Sequence, residues 1–98
     1  MRGMSEQLRI DVRITGRVQG VGFRWWARSR AHALGLTGWV MNEDDERTVT
    51  VVAEGPPDRL EAFERLLREG PPSARIERVE VRREPASGAF DRFEITRP

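Results

Sequence analysis

The residues best suited to chemistry in this chain lie in one run, Gly16-Arg17-Val18-Gln19-Gly20-Val21-Gly22-Phe23-Arg24. Its glycines free the backbone for turns that a Cβ forbids. Successive N–H groups of such a loop can converge on one anion, and a helix N-terminus behind it adds partial positive charge. Arg24 falls in the first turn of the helix that follows and presents a planar fork matched to phosphate oxygens. The run therefore reads as an anion cradle formed by Arg17, Val18, Gln19, Gly20, Val21, Gly22, Phe23 and Arg24. It is not a Walker loop, because the lysine and the following hydroxyl residue are missing. It is not the dinucleotide fingerprint, because the spacing differs and the next strands read as a hairpin. A second candidate is Asn42, at the end of a strand and just before a turn. Taken alone, an asparagine there is an ordinary turn residue.

Composition removes most other chemistries. The 98-residue chain has no cysteine, so disulfides, thiolate metal sites and cysteine nucleophiles are excluded. All 17 basic residues are arginine, which excludes a Schiff base and a Ser–Lys pair. The single histidine, His32, rules out a multi-histidine metal site. No metal or cofactor is expected. A net charge of +1 is too small to steer polyanions, despite a pI near 8.9. With neither a long apolar run nor a charged-then-apolar leader, the chain reads as a cytoplasmic monomer with no membrane association.

The elements that must position these residues are legible from periodicity. Residues 1–7 are patternless and read as a disordered extension to a single domain at 8–97. Leu8, Ile10, Val12 and Ile14 alternate with polar residues in a half-buried strand. From Phe23 to about Leu34 the period turns helical, with Phe23, Trp26, Ala27, Ala31 and Leu34 on one face. Arg30 falls inside that apolar stripe. Gly35 ends the helix. Trp39, Val40 and Met41 form a second strand. A charged turn leads to a third with Val49, Val51 and Ala53. Gly55-Pro56-Pro57-Asp58 opens a second helix burying Leu60, Phe63, Leu66 and Leu67. Ile76, Val79 and Val81 give a fourth strand whose phase slips once, as at a bulge. Phe93 and Ile95 close the chain with a further strand. The order β-α-β-β-α-β is that of an α+β, ferredoxin-like split β-α-β sandwich, with an antiparallel sheet and two helices on one face. The first crossover sets its two strands side by side or one apart, with their ends at opposite edges of the helix. No distance between Asn42 and the loop follows from the sequence.

Other polar residues have plainer readings. His32 reads as an exposed helix residue, and Asp44 and Asp45 as solvated turn acids. Trp26 belongs to the core stripe, while Trp25 is partly exposed near the loop. The alternation of Glu77, Arg78, Glu80 and Arg82 marks a solvated strand face.

The loop 16–24 resembles the signature loop of the acylphosphatase family. Leu34-Gly35-Leu36-Thr37-Gly38-Trp39-Val40-Met41-Asn42 is similar to that family's second signature, and Val51-Val52-Ala53-Glu54-Gly55-Pro56 to its third strand and the start of helix two. The likeness spans residues 8–95. It implies a small-molecule acyl phosphate substrate, with its phosphate held by loop amides and Arg24 and the attacking water held by Asn42. Met41 stands where the family carries a polar or basic residue, and the turn from Glu43 to Thr48 lacks the family's glycine. Two other classes fit the same element order. An RNA-binding module would display aromatics on its central strands, and the third strand here has none. A regulatory anion-binding domain would not need Asn42.

Overall fold

A computed structural model describes residues 6–98. The elements run β1 (Leu8–Arg17), α1 (Phe23–Ala33), β2 (Thr37–Asn42), β3 (Thr48–Gly55), α2 (Pro57–Glu69), β4 (Arg75–Pro85) and β5 (Phe93–Thr96). The strands form one sheet in the order β4-β1-β3-β2-β5. Two βαβ units interleave, and both helices cover the same face, as the element order predicts. One feature of the predicted fold is corrected. The sheet is not wholly antiparallel, because β5 pairs parallel with β2. β4 and β2 run in opposite directions at distant edges of the sheet. A chain that leaves β4, reverses and reaches the β2 edge therefore arrives parallel to β2. Residues 1–5 of the predicted N-terminal extension lie outside the described residues, and the Gln7 carbonyl accepts a hydrogen bond from the Ala86 N–H at 3.2 Å.

Strand register sorts the side chains. Ile10–Ala53–Gly38, Val12–Val51–Val40 and Ile14–Val49–Asn42 are rows across β1, β3 and β2 on the helix-covered face. Apart from Asn42, every residue in these rows is buried. Phe23, Ala27 and Ala31 of α1 and Leu60, Phe63 and Leu67 of α2 close over them. Fully burying each large apolar side chain contributes about 1.5–3 kcal/mol. Phe63 meets Phe93 edge-to-face at 5.9 Å, which ties α2 to the last strand. Arg30, at an apolar position of the helical wheel, lies with its guanidinium 5.9 Å from the Trp26 ring centre and leaves its charge in water.

The opposite face is open and polar, with one buried carboxylate. Glu54 is only 4% exposed. It accepts hydrogen bonds from Ser87 N–H (2.9 Å), the Ser87 hydroxyl (2.7 Å) and Gly88 N–H (3.0 Å). These bonds fasten the β4–β5 connection at the end of the sheet far from the glycine loop. Burial pushes the Glu54 pKa up, but the Ser87 and Gly88 donors and the Arg9 charge outweigh it and hold the group below its ordinary value.

Candidate active site

β1 and β2 are parallel and separated only by β3, so their C-terminal ends lie at the same end of the sheet. α1 begins at that end, directly after the loop. Asn42 and the loop therefore share the N-terminal end of α1, rather than lying at opposite edges of the helix. The chain runs up β1, returns along α1 and runs up again in β2, which brings residues 17–24 and 42 together although they are distant in sequence. Asn42 also sits in the row of Ile14 and Val49, on the face that α1 covers.

The loop takes its shape from glycine. Gly20 and Gly22 have φ of 75° and 78°, a left-handed conformation that costs a residue bearing Cβ about 1–2 kcal/mol. Gly22 is the N-cap of α1 and offers no side-chain cap, and the first turn holds no acid. The N–H groups from Val18 to Trp25 donate to no backbone or side-chain acceptor among the described residues. A run of free donors ending in a helix dipole is a concave site for an oxyanion. Arg24 is half-buried and enters none of the ion pairs among the described residues. Its charge is left for something other than a protein carboxylate.

Each loop side chain has its own surroundings. Val18 is fully buried and anchors the loop in the core, and Val21 packs against that core. Phe23 is buried and meets Trp26 edge-to-face at 5.4 Å. Arg17 is exposed. Gln19 turns its side chain away from any anion role. Its Nε2 donates to the Glu43 carbonyl at 2.8 Å and the Thr48 carbonyl at 3.0 Å. Glu43 follows Asn42 directly, so this amide bolts the loop to the hairpin that carries Asn42. The sequence reading missed that clamp, because only tertiary pairing reveals its partners. Ser73 adds a second tie on the other flank, from its hydroxyl to the Val21 carbonyl at 3.1 Å.

Asn42 stands out by what it does not bond. Its side-chain oxygen is buried and is the one such atom among the described residues without a hydrogen-bond partner. Buried polar atoms are nearly always paired, since leaving one unpaired costs about 1–3 kcal/mol. The acids nearby in sequence are committed elsewhere. Glu43 accepts from the Thr50 hydroxyl, and register puts Thr50 on the open face, opposite to that of Asn42. Asp45 accepts from the Thr48 hydroxyl (2.6 Å), Arg47 N–H (2.9 Å) and Thr48 N–H (2.9 Å). Those bonds, the Thr48 hydroxyl first, hold its pKa below the ordinary value. Asp45 is thus a hairpin staple rather than a free solvated acid. The glycine absent from this turn is replaced by Glu46, which takes φ of 64° itself. Met41 lies in the open-face register, away from Asn42. His32 is exposed, as predicted, with Nε2 3.2 Å from the Phe93 carbonyl at the start of β5, the far end of the sheet from Asn42. Among the described residues no group of three or more His, Cys, Asp or Glu side chains is placed to hold a metal ion.

A glycine loop of free N–H groups, closed by an arginine in the next helix and carried on a ferredoxin-like sandwich, is an arrangement suited to an oxyanion on an α+β fold. Comparison with known proteins narrows the class. The acylphosphatase family profile matches residues 10–95. An acylphosphatase of Salinibacter ruber is 51% identical over 89 residues, covering 91% of this chain and 93% of that protein. The crystal structure of an acylphosphatase from Bacillus subtilis matches with a TM-score of 0.86 at 36% identity, covering 91% of this chain and 98% of that one. An acylphosphatase structure from Coxiella burnetii gives 0.85 at 34% identity, covering 93% and 94%. This chain belongs to the acylphosphatase family.

Proposed function

We propose that the protein is an acylphosphatase that hydrolyses small acyl phosphates to a carboxylate and inorganic phosphate, using residues 8–97 as one catalytic unit. The free N–H groups of residues 18–25 and the Arg24 guanidinium bind the phosphate oxygens. Asn42 holds the attacking water through its side-chain amide. Water oxygen bonds to phosphorus as the P–O bond to the acyl group breaks, and the carboxylate leaves with that electron pair. Such a displacement passes through a loose transition state whose charge spreads over the equatorial oxygens, where fixed donors act most strongly. An amide cannot deprotonate water, Glu43 and Asp45 are bound to threonines, and His32 is distant. The water's proton therefore passes to a phosphate oxygen of the substrate late in the attack. No cofactor or metal is used, and no nucleic acid is bound tightly, since β3 offers no aromatic to stack a base. The protein acts as a cytoplasmic monomer.

The observation that carries this reading is the unpartnered, buried oxygen of Asn42 beside a loop of free donors. It also separates an enzyme from a passive anion binder. Asn42→Ala should lower kcat by at least about 10²-fold through lost positioning. The inhibition constant of inorganic phosphate should stay within about threefold. If turnover and phosphate affinity fall together, Asn42 is a phosphate ligand or a structural residue. If neither changes, the water is held elsewhere.

A further inference from the structure

Asp45 forms no hydrogen bond to the loop or to Asn42, yet its partners bond to both halves of the site. Its Oδ1 accepts the N–H groups of Arg47 and Thr48, each at 2.9 Å, and its Oδ2 accepts the Thr48 hydroxyl at 2.6 Å. The carbonyls of the same two residues grip the loop. The Arg47 carbonyl accepts the Gly16 N–H at 3.0 Å, and the Thr48 carbonyl accepts Gln19 Nε2 at 3.0 Å. The Arg47 carbonyl and the Thr48 N–H belong to one rigid peptide plane. Asp45 therefore holds one edge of that plane while Gly16 holds the other. The Thr48 carbonyl also accepts the Glu43 N–H at 2.8 Å, which closes the turn beside Asn42. Thr48 is 2% exposed, and its hydroxyl, pinned by Asp45, lies 3.5 Å from that of Thr15 on β1.

The turn does not hold this shape by backbone preference. Glu46 at its centre has φ of 64°, a conformation that disfavours any residue with a Cβ. Among the described residues, no other side chain of the turn bonds the turn's own backbone: Glu43 is bonded to Thr50 and Arg47 to Glu77. Resting on the acylphosphatase reading, we infer that Asp45 is a positioning residue for the hydrolysis, its carboxylate fixing the turn on which Gln19 closes and so the distance between the loop and Asn42. Without that carboxylate the Arg47–Thr48 peptide is free to tilt, and the Gly16 and Gln19 contacts loosen together. The loop N–H groups and Arg24 still hold the phosphate. The loss falls on orientation of the water, and so on kcat rather than on phosphate affinity.

The test is a double-mutant cycle of Asp45→Ala and Gln19→Ala. Turnover of benzoyl phosphate and its inhibition by inorganic phosphate are measured at a temperature where all four proteins are folded by circular dichroism. Asp45→Ala should lower kcat about 5- to 20-fold and leave the phosphate inhibition constant within about threefold. Because both residues act through the Thr48 carbonyl, the double variant should fall no more than about twofold below the worse single one. Asp45→Asn should recover part of kcat. Its amide oxygen keeps the two N–H bonds, and its NH2 donates to the Thr48 hydroxyl, whose own hydrogen turns to Thr15. Where Asp45→Ala does not fold, the cycle runs on Asp45→Asn, with an expected loss of about three- to fivefold. A readout free of substrate is solvent exchange of the Gln19 side-chain amide by NMR, which should quicken in the Asp45 variants. A kcat unchanged within twofold overturns the role. So does an equal loss of kcat and phosphate affinity, a double variant in which the two losses multiply, or unchanged exchange at Gln19. Benzoyl phosphate turnover by the wild type reports on the acylphosphatase reading separately.

Discussion

In the proposed mechanism Arg24 supplies charge and Asn42 supplies position, and substitution should separate the two roles. Arg24→Lys keeps the charge but replaces a planar fork with a point donor, so two parallel hydrogen bonds become one. Phosphate affinity and most turnover should be lost, with the fold retained in circular dichroism. Near-normal kinetics in this variant would falsify the role given to the guanidinium. Both were candidates from the sequence, Arg24 from its place at a helix start and Asn42 through its resemblance to the family signature. What the residues alone could not show is the feature that sets Asn42 apart from an ordinary turn asparagine. That depends on its oxygen being buried without a partner, a property of packing around residues far away in the chain. The same holds for Asp45, whose adjacent acid Asp44 made it look like part of a solvated pair. Only the structure shows its carboxylate closing the turn onto Thr48.

The loop and the β2–β3 hairpin act as one unit because Gln19 joins them. Gln19→Ala leaves two carbonyls without their donor and should cost about 1–3 kcal/mol in urea denaturation. Turnover should fall more than phosphate affinity, because the distance from loop to Asn42 is what loosens. A variant that loses stability but keeps full kcat would make the clamp purely structural. Within the hairpin, Glu46 holds a left-handed backbone that costs about 1–2 kcal/mol for a residue with Cβ. Glycine relieves this but gives back some of it as unfolded-chain entropy. Glu46→Gly should therefore raise stability by about 0.5–1 kcal/mol, measured by the same denaturation. Alternation and helical period announced every strand and helix, and even the slip in β4 appears as the register shift at Thr15/Gly16. The clamp and the strained turn were hidden, since Gln19 is one polar residue in a glycine-rich run and Glu46 one acid among several. The parallel pairing of β5 was hidden too, because periodicity carries no information about strand direction.

At the scale of the molecule, the two ends of the sheet carry different tasks. One end holds the loop and Asn42, and the other is secured by Glu54 under the β4–β5 connection. Because the folded-state pKa of Glu54 is depressed, it contributes stability above its ordinary value of about 4.5, and that contribution is lost as pH falls through the lower folded value. Below pH 4.5 the wild type should lose stability more steeply than Glu54→Gln, as read from denaturation midpoints. Parallel curves would show that Glu54 is not held ionised by its donors. This tether lies away from the proposed chemistry, so Glu54→Gln should leave kcat near the wild-type value while the pH dependence of stability changes. The central claim is that the loop end hydrolyses acyl phosphates with protein groups alone. Its most direct test is phosphate release from benzoyl phosphate by the purified protein in the presence of excess EDTA. The account predicts catalysed release that saturates with substrate, is inhibited competitively by inorganic phosphate and is unchanged by the chelator. No release above the uncatalysed rate, or release abolished by EDTA and restored by a divalent metal, would contradict it.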